Sequence, residues 1–230
     1  MDVGYFYVGF GLPAYRYLTG LSIKTVRKAM PGSTVWHWTD KYTPPLKGAD
    51  AMMRFDLDVG KDILITAKAM AMARYGMDAK RPWALSDVDV VWQRDVTPLY
   101  AGDWDVGLMW RGNPAMPINA GLVLSKPTEG AKAFWEKFTL IVHALPRLSD
   151  GWWSEQLAFA VMVGGECRPG DTITTGGGRA HIFSCDEIFP AVNEMQRVHV
   201  PGYAVHFKGT KAKEAMSAYA HNLLNDTVAA

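Results

Sequence analysis

Asp87 and Asp89 stand one residue apart in Trp83-Ala84-Leu85-Ser86-Asp87-Val88-Asp89-Val90-Val91-Trp92, with apolar residues on both sides. The first apolar run is too short for a helix and rich enough in large side chains to be a buried strand. In extended chain, side chains at i and i+2 point to the same side, so the two carboxylates are expected to project together. Held that close they repel unless a positive charge sits between them, and a hard divalent cation with oxygen ligands is the usual solution. The stretch is read as a metal-holding strand end whose metal holds a diphosphate. Most isolated Asp-x-Asp triplets are solvated turns, but the flanking Leu85-Ser86 and Val90-Val91-Trp92 argue against a surface turn here. A second triplet, Asp56-Leu57-Asp58, has the alternation of a half-exposed strand and is read as structural.

The surrounding elements must bring partners to these acids. Val3 to Phe10 reads as a first strand running into Gly9-Phe10-Gly11-Leu12-Pro13, where Gly9 and Gly11 suit either a close approach of backbone to a ligand or a plain strand-to-helix turn. A helix is expected from Tyr15 to Ala29, stopped by Pro31-Gly32, then a strand from Thr34 to Thr39 and a short one over Phe55 to Val59. A helix from Ile63 to Tyr75, with Gly76 just past its end, leads to the Asp87 strand. Strand-helix alternation of this kind builds a largely parallel sheet covered by helices, with ligands outside the carboxyl ends of the strands, where Gly9, Asp40, Asp87 and Asp89 fall. Asp105 to Trp110 and Ala120 to Leu124 are further strands, and Glu129 to Ala144 and Trp153 to Val163 further helices. Gly170 to Gly178 is a loop or hairpin. His206 follows a last short strand, and Lys213 to Leu224 closes the chain as a helix. One domain of 230 residues is expected, its first hundred residues forming a nucleotide-binding half and the rest a sugar- and acceptor-binding half.

Composition excludes several classes. The net charge of +1, from 24 basic and 23 acidic residues, gives no field for nucleic acid. Cys167 and Cys185 lack metal-type spacing and read as free thiols of a reducing compartment. Neither a secretion signal nor an apolar run of the ~20 residues that a membrane helix needs is evident, so a cytoplasmic protein is expected. Nine tryptophans are more than core filling ordinarily asks for.

Four pieces in order carry a resemblance: Ala84 to Val91 around the triplet, Ile118-Asn119-Ala120-Gly121-Leu122-Val123-Leu124, Ser154-Glu155-Gln156-Leu157-Ala158, and His206-Phe207-Lys208-Gly209. Together they resemble retaining nucleotide-sugar glycosyltransferases of the glycogenin-like and bacterial galactosyltransferase-like group, which have the GT-A fold. The resemblance implies a single α/β domain and metal-dependent transfer of a sugar from a nucleoside diphosphate, a UDP-hexose by family default. Asp87, Asp89 and His206 would hold the metal, Mn²⁺ before Mg²⁺ because imidazole joins the carboxylates. Asp87 would also reach the ribose, and Lys208, Gly209 and Lys211 the phosphates. Asn119 and Gly121 would line the sugar pocket, with Gln156, after the acid Glu155, near the anomeric carbon. Lys68 lies on the helix before the metal strand, where the family places a basic residue near the donor; a solvated helix face is the other reading. Three departures stand out: Gly9-Phe10-Gly11 replaces the base-reading polar residues, position 212 is Ala where the family has the lysine of Gly-x-x-Lys-Pro, and the acid before the glutamine is Glu155 instead of Asp.

Trp110, Trp152 and Trp153 flank these motifs and suit either a sugar-stacking platform or core packing. His37, His143, His181, His199 and His221 receive no role. The acceptor is open: a glycan, a lipid-linked glycan, a protein or a small molecule. Two other functions compete, an Asp-nucleophile phosphohydrolase and a non-catalytic sugar-nucleotide or glycan-binding protein. The first normally carries its triplet near the N-terminus, and the second would tolerate loss of Asp89 or His206.

Overall fold

The computed structural model describes residues 1–9, 13–56, 64–114, 116–145, 154–192 and 200–225. An eight-stranded sheet is assembled from β1 (Asp2–Phe6), β2 (Thr34–Thr39), β3 (Ala51–Arg54), β4 (Trp83–Ser86), β6 (Val106–Trp110), β7 (Ile118–Ser125), β8 (Thr172–Thr175) and β9 (Gly178–Ser184), in the order β3-β2-β1-β4-β7-β6-β9-β8. The four strands from β3 to β4 pair in parallel, as strand-helix alternation predicts. Beyond β4 the sheet is mixed: β7 is antiparallel to both β4 and β6, and β9 is parallel to β6. The glycine-rich segment is the β8–β9 hairpin. Its turn residues Gly176 and Gly177 have φ of 58° and 83°, the left-handed backbone that a tight hairpin turn requires. The sheet runs without a break through both halves of the chain.

Helices α2 (Leu64–Asp78), α3 (Glu129–Ala144) and α4 (Ser154–Val163) cover one face. Their core is aromatic, with Trp38, Trp83 and Trp135 fully buried. Trp83 meets Trp38 at 5.7 Å and 71° and Tyr75 at 5.4 Å and 79°, the edge-to-face arrangement that ring quadrupoles favour. Most of the tryptophan excess is thus core after all, and Trp110 is partly buried against the same cluster. Gly76 lies inside α2 rather than past its end. A Cβ there would stand 2.4 Å from the Trp135 indole, so the glycine admits α3 at close range.

On the opposite face, α1 (Pro13–Ala29) starts with proline at its first helical position, where the missing N–H is not needed. It packs beside α6 (Thr210–Asn225), the helix after the one-turn α5 (Cys185–Ile188), and a small second sheet of β10 (Ala191–Val192), β11 (Ala204–Phe207) and β5 (Val90–Trp92). The expected strand over Phe55 to Val59 begins earlier, as β3. Its 57–59 portion, together with Gly11, Trp152, Trp153 and His199, lies outside the described residues. Among the described residues no helix is long and apolar enough to cross a membrane.

Candidate active site

The two aspartates sit at the junction of the two sheets. β4 ends at Ser86, and Asp87 to Asp89 form a turn into β5 rather than a continuous strand. The expectation that extended backbone would aim both carboxylates the same way is therefore corrected; tertiary contacts aim them instead. The Asp87 N–H donates to the Gly121 carbonyl on β7 (2.8 Å), and the Phe207 N–H donates to the Asp89 carbonyl (2.9 Å). Antiparallel pairing of β11 with β5 sets His206 opposite Val90. His206 thus lies within the last strand, not after it, and its ring is stacked on Phe189 with centroids 5.2 Å apart.

His206 Nε2 lies 3.2 Å from Asp89 Oδ1 and 3.7 Å from Asp87 Oδ2. Among the described residues these three form the one group able to hold a metal ion, with ligand atoms all within 4.8 Å of one another. Two hard carboxylates and one imidazole suit Mn²⁺ better than Mg²⁺. The space is kept by Gly121, where a Cβ would stand 2.8 Å from His206 Cε1 and 3.0 Å from Asp87 Oδ2. His206 Nδ1 is buried with no hydrogen-bond partner among the described residues. The donor set and the glycine cradle fit a divalent cation.

Each aspartate also pairs with a lysine. Lys68 is buried, which settles the choice left open by the sequence against a solvated helix face. Its ammonium lies 2.5 Å from Asp87 Oδ1 and 3.0 Å from Glu155 Oε1, and donates to the Ala120 carbonyl at 3.3 Å. Burial would lower the Lys68 pKa, but Asp87 and Glu155 raise it overall, so the lysine stays charged. Burial pushes the Glu155 carboxyl up, with Lys68 opposing and Asp87 adding to the shift. On the other side, Lys213 Nζ lies 3.0 Å from Asp89 Oδ2. Burial alone would raise the Asp89 carboxyl, but the adjoining His206 and Lys213 hold it well below the ordinary carboxylate range.

The group opens into a cavity of about 540 Å³ lined by Asp87, Asp89, Arg111, Asn119, Gly121, Gln156, His206, Lys208, Gly209 and Lys213, a volume typical of small-molecule sites. Gln156 presents a buried Oε1 without a hydrogen-bond partner among the described residues. The Lys208 ammonium is pushed down by burial and by neighbouring Arg111.

Other expected site residues lie elsewhere. Glu155 does not line the cavity; it is buried behind it, against Lys68. Gly9 donates its N–H to Thr43 Oγ1 (2.7 Å), and Asp40 accepts from the Tyr42 and Thr43 N–H groups, both away from the cavity wall. Lys211 is exposed in the first turn of α6 and off the cavity.

Two lining residues were missed. Lys213 sits one helical turn beyond Gly209, whose carbonyl accepts the Lys213 N–H at 3.1 Å. Starting the last helix at Thr210 instead of Lys213 would have brought the lysine back over Gly209 and the site. Arg111 directly follows β6, at the carboxyl end of a sheet strand, which is where ligand contacts are expected.

The apo form of the glycosyltransferase GlyE from Streptococcus pneumoniae TIGR4 superposes with a TM-score of 0.61 at 11% identity, covering 97% of this chain and 62% of that one. This chain therefore spans less than two thirds of GlyE's length. The galactosyltransferase LgtC, in complex with donor and acceptor sugar analogues, gives 0.55 at 14% identity with 96% of both chains covered. A glycosyltransferase involved in glycosylation of the major capsid of PBCV-1 gives 0.59 at 12% identity, covering 96% of this chain and all of that one. At these identities the likeness concerns the fold. A search of curated protein sequences finds no match. The family model for nucleotide-diphospho-sugar transferases matches residues 81–216, which is more than half of the chain and contains every lining residue of the cavity. The chain belongs to the nucleotide-diphospho-sugar transferase family.

Proposed function

We propose that this nucleotide-diphospho-sugar transferase is a metal-dependent glycosyltransferase that moves a hexose from a UDP-sugar to an acceptor that is a glycan, a lipid-linked glycan, a protein or a small molecule, with retention of configuration. The observation that carries the reading is the convergence of Asp87, Asp89 and His206 at a cavity that also presents three cationic side chains and the amides Asn119 and Gln156. Asp87, Asp89 and His206 would hold the cation, which when bound supplies Lewis-acid stabilisation of a leaving diphosphate. Lys208, Lys213 and Arg111 bind and orient phosphate oxygens through charge-assisted hydrogen bonds. Asn119 and Gly121 bound the space for the sugar. Gln156 offers Oε1, an acceptor able to face positive charge developing at the anomeric carbon but too weak to act as a base. Lys68 and Glu155 are positioning residues, fixing Asp87 from behind. The buried free thiols Cys167 and Cys185 suit action in the reducing cytoplasm.

The test is release of nucleoside diphosphate from a panel of UDP-, GDP- and ADP-hexoses with Mn²⁺, with Mg²⁺ and with chelator, and the anomeric configuration of the product read by NMR. Turnover of a UDP-hexose only when metal is present is expected. Undiminished turnover in chelator would sink the metal-dependent reading.

A further inference from the structure

Lys213 and a divalent cation make rival claims on one carboxylate. Both oxygens of Asp89 are engaged by protein, Oδ1 by His206 at 3.2 Å and Oδ2 by Lys213 at 3.0 Å. An ammonium and a divalent cation on the same carboxylate repel each other, so a cation bound through Asp89 must loosen Lys213. The lysine is placed to move. It springs from the first turn of α6, just past Gly209, whose φ is 80°. Its side chain is 23% exposed, and its ammonium also reaches the Tyr15 hydroxyl at 3.3 Å and lies 5.0 Å from that ring's centroid. It lines the same cavity that Lys208 and Arg111 line. Lys68, by contrast, has only 8% side-chain exposure and three oxygen partners.

We propose that Lys213 is an exchangeable counter-ion for Asp89, competing with the divalent cation for that carboxylate and turning to the diphosphate when the nucleotide enters. The inference rests on the donor-site reading above. Its consequence is positive cooperativity: the diphosphate gives Lys213 a second partner, which frees Asp89 for the metal. Linkage then requires that the metal tighten the nucleotide by the same factor.

The experiment measures Mn²⁺ affinity from the free-ion electron paramagnetic resonance signal, without nucleotide, for the wild type, Lys213→Met, Lys213→Gln and Lys213→Arg. UDP affinity at saturating Mn²⁺ is then measured for the same four proteins. Direct binding of Mn²⁺ to UDP is common to all, so the differences belong to the protein. Lys213→Met and Lys213→Gln should bind Mn²⁺ alone about five- to tenfold tighter than the wild type and UDP weaker by a similar factor, the scale of a partly buried charged pair. Lys213→Arg, which keeps the competing charge, should match the wild type in Mn²⁺ affinity. Normal UDP binding with Mn²⁺ affinity unchanged or weakened in both neutral variants overturns the exchange while leaving the donor site standing. Failure of UDP to bind any of the four proteins overturns the donor-site reading, and the exchange with it.

Discussion

Lys68 and Lys213 each grip one aspartate of the same turn, yet the two pairs live in different media. Lys68 projects from α2 and is sealed behind the turn, between Asp87 and Glu155 of α4. Lys213 stands at the cavity, with Asp89 on one side and open space on the other. A buried charge that loses its partners cannot turn to water, so the first pair is committed to structure. The second can trade its partner for a ligand's charge at little cost. The Asp-x-Asp turn is thus clamped from behind and left free in front, which is what a site that loads and releases an anion requires.

Breaking the rear clamp should have the largest effect. Lys68→Met leaves Asp87 and buried Glu155 facing each other, and unfolding measurements should show a loss of about 3–5 kcal/mol, a fall in Tm of roughly 10 °C for a chain of this size. Gly121→Ala should act between the two lysines in magnitude. Its methyl pushes on His206 and Asp87, costing about 1–3 kcal/mol of stability as overpacking, and Mn²⁺ titration should show affinity reduced about 10–100-fold through displaced ligands. Lys213→Met should be smallest in stability, under about 1 kcal/mol by denaturant unfolding, because Lys213 is itself partly exposed and the freed Asp89 keeps His206 beside it at the cavity wall. Equal losses in Lys68→Met and Lys213→Met would erase the distinction between clamp and exchangeable pair.

Where local chemistry decides an element, the sequence was enough. The strand over Thr34 to Thr39 and the helix over Glu129 to Ala144 lie where periodicity puts them, the helix capped by Thr128 accepting from the Ala131 N–H. That Asp87, Asp89 and His206 come together was legible too, because the carboxylate pair and the imidazole fall within two of the four recognisable segments. Their geometry was not. Asp87 and Asp89 converge through a turn held by Gly121 and Phe207, and His206 is delivered by pairing of β11 with β5, strands far apart in sequence that no local pattern links. Gly76 misled because a glycine usually marks a helix end, whereas here it makes room for Trp135. Lys213 escaped because the helix was started three residues late, which turned a residue facing the site into a terminus.

If Asp89 holds a cation that in turn holds a nucleoside diphosphate, its loss must abolish metal-dependent nucleotide binding. Calorimetric titration of UDP into the wild type and into Asp89→Ala, each with Mn²⁺ and with chelator, tests it most directly. Binding to the wild type with Mn²⁺ is expected, lost with chelator and absent from a folded Asp89→Ala. Binding of equal strength in all four titrations would contradict it.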